Sequence, residues 1–177
     1  LKGYNSFIEQ SMPEFGPEIN LNFDEVIYYK NNEADKRLEN NWNNILKPVV
    51  DELDSVGVLE SEKHFGGMGV QYESEVIYHN MIEELEKKNV IFTSIEDAIK
   101  RYPDLVKKYF GKIVAFTENK FAALNAAVFS GGSFIYVPKN TVLDRPLQSY
   151  FRINSKNMGQ FERTLIIVDD NSSLHYV

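Results

Sequence analysis

Arg152 and Asn154 are the residues whose types and spacing point most directly to chemistry. In Tyr150-Phe-Arg-Ile-Asn154 an extended chain sends Phe151 and Ile153 to one side and Arg152 and Asn154 to the other. The polar side must meet water, a partner charge or a functional passage. A guanidinium that never loses its charge can hold an anion there. The plainer reading is a structural arginine satisfied by Glu162 or by a turn carbonyl, and alternation alone leaves both open. Glu60 and His64, four residues apart, could share a helix face as metal ligands, but no third ligand is near them, so they read as a solvated helix end. Gly66-Gly-Met-Gly69 imitates a phosphate-cradling loop without the Lys-Ser/Thr that such loops need, and reads as a flexible turn. His79 reads as a packed or capped histidine, His175 as a hydrogen-bonded packing residue, and Glu162 with Arg163 as a solvated or cross-coil ion pair.

Two textures of sequence must position these groups. Residues 1–32, broken by Pro13, Gly16 and Pro17, read as an irregular arm laid on a partner surface. Over 33–56, Leu38, Trp42, Ile45, Leu46, Val49, Val50 and Leu53 recur at three- and four-residue steps, so a helix is expected, broken or kinked at Pro48 and stopped by Gly57. A second helix is expected from Glu73 to Lys88. Val90-Ile-Phe92 reads as a short strand, Thr93 or Ser94 as the cap of the next helix, and Pro103 as the opening of another that Gly111 ends. After Gly111 short β-rich runs dominate, at 113–116, 122–129, 133–137, 147–153, 164–168 and 173–177. They lie too close together for crossover helices. That admits an antiparallel sandwich or a parallel β-helix. The aromatics Phe129, Phe134, Tyr136, Tyr150, Phe151 and Phe161 read as its stacked core.

Composition narrows the function classes. The 177 residues are 43% hydrophobic and 25% charged, a globular balance with room for a sizeable core. Net charge is −7, unevenly spread: residues 1–111 hold 12 Lys/Arg against 21 Asp/Glu, giving −9, and residues 112–177 hold 7 against 5, giving +2. Neither part has the dense basic stripe of a nucleic-acid binder. No apolar run approaches the ~20 residues that span a bilayer, so no membrane partner is expected. The absence of cysteine removes a disulfide framework and thiolate metal sites, and favours a reducing compartment.

Four strings in order, Phe121-Ala-Ala-Leu-Asn-Ala-Ala-Val128, Ser130-Gly-Gly-Ser-Phe-Ile-Tyr-Val-Pro-Lys139, Pro146-Leu-Gln-Ser-Tyr-Phe-Arg-Ile-Asn154 and Met158-Gly-Gln-Phe-Glu-Arg-Thr-Leu-Ile-Ile167, closely resemble the SufB family, the iron–sulfur cluster assembly scaffolds of the SUF system. The resemblance runs back through Gln71–Asn80, Val90–Thr93 and Tyr102–Gly111, and covers residues 12–177 in all.

This resemblance implies an α+β chain: a mainly helical N-terminal region, residues 1–111, then the first coils of a right-handed parallel β-helix, residues 112–177. It implies a scaffold, not a turnover enzyme, that builds and transfers nascent clusters with a SufC-like ATPase, a SufD-like paralogue and a sulfur donor protein. Arg152 and Asn154 match a motif placed on the family's sulfur-transfer path. No cofactor, metal ligand or catalytic residue is expected within these residues, although a full-length member carries a transient iron–sulfur cluster. The family's cysteine-bearing region follows the position of Val177, so the chain reads as an N-terminal portion, and an open end there is expected to promote homo-oligomers. The implied location is the bacterial cytoplasm, with the plastid stroma as the alternative. A second function class stays open, a protein-interaction module without cluster chemistry. A β-helix lyase or acyltransferase is disfavoured, because neither clustered acids nor a six-residue repeat is present.

Overall fold

A computed structural model of the chain describes residues 1–30 and 38–177. The chain mixes helices with small sheets, in agreement with an α+β class. It opens with helix α1 (Lys2–Glu9), where an irregular arm was expected. Helix α7 (Lys120–Val128) packs against it, closely enough that a Cβ on Gly3 would stand 3.0 Å from the Ala123 carbonyl oxygen. Lys120 Nζ donates to the carbonyls of Phe7 and Gln10 at 2.7 Å each, satisfying acceptors that the last turn of α1 leaves over. The run expected as a strand at 122–129 is thus helical. Its alanines favour that state, and Asn119 accepts from the backbone N–H groups of Phe121 and Ala122 as an N-cap.

The long helix expected over 33–56 is short. Residues 33–37 lie outside the described ones, Trp42–Asn44 form a single 3-10 turn, and α2 spans Lys47–Ser55. Pro48 opens this helix instead of breaking it, because a first-turn N–H has no intrahelical partner to lose. Gly57, at φ +80°, separates α2 from the four-residue α3 (Val58–Ser61).

The largest departure lies at 67–81. The expected turn and helix are a β-hairpin, β1 (Gly67–Tyr72) and β2 (Glu75–Met81), joined through Glu73 at φ +55°. Met68 and Val70 are sealed against α2, and only alternation lets them do so while Gly67, Gly69 and Gln71 face the other way. The short helix α4 (Glu83–Lys87) then leads into β3 (Ile91–Ser94). The cap at Ser94 and the opening proline at 103 stand as expected. Ser94 Oγ accepts from Asp97 N–H at the start of α5 (Ile95–Arg101), and α6 (Pro103–Tyr109) follows, ended by Gly111 at φ +68°. Residues 113–116 form no strand.

The strands β4 (Ser133–Val137), β5 (Leu147–Arg152) and β6 (Leu165–Val168) complete two three-stranded mixed sheets, in orders β2-β1-β5 and β3-β4-β6. In each sheet one neighbour of the central strand is antiparallel and the other parallel. Leu147, Ile135, Val137, Phe92, Val90 and Leu85 fill the space between the sheets. A second core joins α2 and α3 to the outer face of β2-β1-β5, and a third packs α5 and α6 on Phe134. Among the described residues no helix is long and apolar enough to cross a membrane.

Candidate functional site

Arg152 sits at the end of β5, in register with Tyr72 of β1. Even-numbered residues of these strands face the helical layer, so Arg152 points at α2, away from the second sheet. There its Nε donates to Glu52 Oε1 at 2.8 Å, in a pair whose side chains are 34% and 22% exposed. The hydrogen bond to Glu52 raises the guanidinium pKa further, against the opposing effect of desolvation. Tyr72 Oη donates to Glu52 Oε2 at 3.0 Å, and Asn154 Nδ2 reaches the same oxygen at 3.3 Å and Tyr72 Oη at 3.2 Å. Burial is the chief reason the Tyr72 phenol is held above its usual pKa. One carboxylate therefore gathers Arg152, Asn154 and Tyr72 into a single cluster.

Alternation sends Arg152 to the side opposite Phe151, the same side on which Met68, Val70 and Tyr150 pack against the helical layer. The shared partner of Arg152 and Asn154, however, is Glu52 and neither Glu162 nor a turn carbonyl. Glu52 lies 100 residues from Arg152, on a helix whose anchor, Leu53, has no exposure at all. The other candidates disperse. Glu60 pairs with Lys63 at 2.7 Å on the surface, and His64 is exposed. Arg163 turns to Asn125 Oδ1 at 2.6 Å and lies over the rings of Phe110 and Phe129, with burial lowering its pKa. His175 is exposed between Leu174 and Tyr176. Among the described residues no group of three or more His, Cys, Asp and Glu side chains could hold a metal ion.

The opposite face of the same sheet carries a second polar group that no sequence pattern revealed. His79, Gly69 and Ser149 stand in one row across β2, β1 and β5. Facing them on the other sheet are Ser133 and Ser94, themselves paired across β4 and β3. The Oγ atoms of Ser133 and Ser149 meet at 2.6 Å, joining the sheets. Between them lies a cavity of about 10 Å³ lined by these residues with Thr93, Gln71, Val76 and Phe151. Phe92 packs edge-on against the imidazole, with ring centres 4.6 Å apart. Burial depresses the His79 pKa to about 4. His79 is thus a packing histidine, as expected, but one set on a strand.

Comparison with known proteins agrees on one family. The family model for the SufBD protein N-terminal region matches residues 26–149. An iron–sulfur cluster assembly SufBD family protein of Staphylococcus aureus is 50% identical over 179 aligned positions, and the iron–sulfur cluster assembly protein SufB of Bacillus subtilis is 49% identical over the same length. Each alignment covers 100% of this chain and 38% of the relative, so the chain spans well under half the length of the proteins it matches.

Proposed function

The chain belongs to the SufBD family of iron–sulfur cluster assembly proteins, and from that premise we propose that it is the N-terminal part of a SufB-like scaffold. The observation that carries this reading is near-half identity along the whole chain to proteins named for cluster assembly. The scaffold receives sulfur from a donor protein and works with a SufC-like ATPase and a SufD-like paralogue in the bacterial cytoplasm. It performs no turnover chemistry itself. The cluster is its cargo, and these cysteine-free residues hold no cluster of their own.

Residues 112–177 begin a right-handed parallel β-helix in this proposal, and residues 1–111 add its first strands and the helices that cover them. Three parallel pairings within residues 134–176 support it. Phe134 lies beside Leu165 and Val142 beside Ser173, both 31 residues on, and Leu147 lies beside Tyr176, 29 residues on. Similar steps at separate points of the circuit are what successive coils require.

Arg152 and Asn154 act on the sulfur path as the polar anchor for an anionic sulfur species. Their hydrogen-bonded positions suit that role, since an anion near Arg152 meets a guanidinium already oriented by Glu52. A chimera tests the proposal: this chain replaces the matching 38% of the Bacillus subtilis protein in cells that depend on it. The chimera should support growth and iron–sulfur enzyme activity. Arg152→Ala should abolish that support without lowering protein level, while Arg152→Lys retains part of it. A well-expressed chimera that fails would reject the scaffold reading, and a fully active Arg152→Ala would reject the site.

A further inference from the structure

His79 presents a problem that the rest of the protein does not solve. Its Nε2 is fully enclosed and has no hydrogen-bond partner among the protein's atoms. Leaving a buried polar atom unpaired typically lowers a folding equilibrium by a factor of about ten or more. The neighbouring groups could have been apolar, yet the row across the sheets is Ser149, Ser133 and Ser94. Glycine stands at position 69, between His79 and Ser149, and the missing side chain is what leaves space there.

We propose that the pocket between His79, Gly69, Ser149 and Ser133 is a built site for one ordered water molecule, which links the imidazole Nε2 to the serine pair and so joins the two sheets. Size and chemistry agree on the guest. A cavity of about 10 Å³ admits a single heavy atom and no larger ligand. An atom placed where a Gly69 Cβ would stand lies 3.5 Å from Ser149 Oγ and 3.8 Å from His79 Cδ2, the carbon bonded to Nε2. The two hydroxyls, 2.6 Å apart, use one proton between them, which leaves the other free to donate to a guest. A guest that accepts from a serine must also donate to Nε2 when the imidazole proton sits on Nδ1, and accept from it when the proton sits on Nε2. Water does both, whichever imidazole nitrogen carries the proton.

Gly69→Ala provides the test, because the added methyl meets its nearest neighbours at ordinary contact distances, 3.5 Å from Phe92 Cζ and Ser149 Oγ. It therefore fills the space without a clash. If the space is an apolar void, alanine in a strand should raise the folding equilibrium constant. If it holds the water, eviction should lower that constant by about tenfold. The loss should disappear in a His79→Phe background, where no nitrogen needs the guest. A crystal structure of the chain at high resolution should show one density peak within about 3.2 Å of Nε2 and of a serine Oγ. A stabilised Gly69→Ala, or a pocket without density at that resolution, would overturn the proposal. Should the alanine variant not fold, the density decides alone.

Discussion

On the side of the β2-β1-β5 sheet that faces α2, polar side chains are charged, partly exposed and answered by a carboxylate from 100 residues away. On the side that faces the second sheet, the polar side chains are neutral and at least partly buried, and burial holds the pKa of the one imidazole among them down to about 4. The same strands carry both, through alternation alone. The charge sits where water still screens it and a helix brings its counter-ion, while between the sheets desolvation disfavours the charged form of the ring.

Breaking the layer that makes the outer face should have the largest effect. Leu53→Ala removes the fully buried anchor of α2 and should cost about 4 kcal/mol in urea unfolding. Glu52 should leave Arg152 in the same variant, yet the His79 imidazole should keep its nitrogen-15 signature, since α2 does not touch it. A His79 signal that changed as well would show that the two faces are not independent.

The inner face should govern stability in acid. The unfolded imidazole takes up its proton near pH 6.5, the folded one only near pH 4. Between these values the unfolded state binds more protons, so stability falls as pH drops from 6.5 towards 4 and is complete above that window. The loss should amount to about 3 kcal/mol, and His79→Phe should remove it from the denaturation profile. Asp97 and Arg101 act on the ring in opposite senses, raising and lowering its pKa, so their joint influence is small beside desolvation. An unaltered profile in His79→Phe would place the acid sensitivity elsewhere.

A smaller effect sharpens the outer face. Arg152→Leu leaves Glu52 without its cation, whereas Arg152→Leu with Glu52→Gln leaves no uncompensated charge. The double variant should unfold at higher urea than the single one. Equal midpoints would mean that the pair is already solvated. The smallest effect belongs to a pair outside both faces: Lys63→Ala, which removes the exposed partner of Glu60, should leave the urea midpoint within error.

Local chemistry was readable where local chemistry decides. The Ser94 cap, the opening proline at 103 and the β-rich runs at 133–137, 147–153 and 164–168, which become β4, β5 and β6, follow from nearest-neighbour preferences. Reading failed where a partner decides. Val76, Ile77 and Met81 fit helical spacing, and only pairing with β1 makes them a strand. The alanines at 122–127 carry no clear periodicity and become a helix beside α1. The pairing of Glu52 with Arg152 needs a contact 100 residues long. The row of His79, Gly69 and Ser149 exists only once two separate registers are set, and no spacing in the sequence records it.

The change of step from 31 to 29 residues along the parallel pairings has a use in engineering. From Val142 to Leu147 the chain spends five residues where the neighbouring passage, Ser173 to Tyr176, spends three. The surplus emerges as the exposed bend at Asp144 and Arg145. Length can vary there without disturbing the pairings on either side, so this bend is the natural port for an epitope tag or a fluorophore. One residue added between Phe134 and Val137 would instead exchange the inward and outward side chains of the rest of that strand. Homologous chains should accordingly differ in length at the bend and keep strict length within the strand.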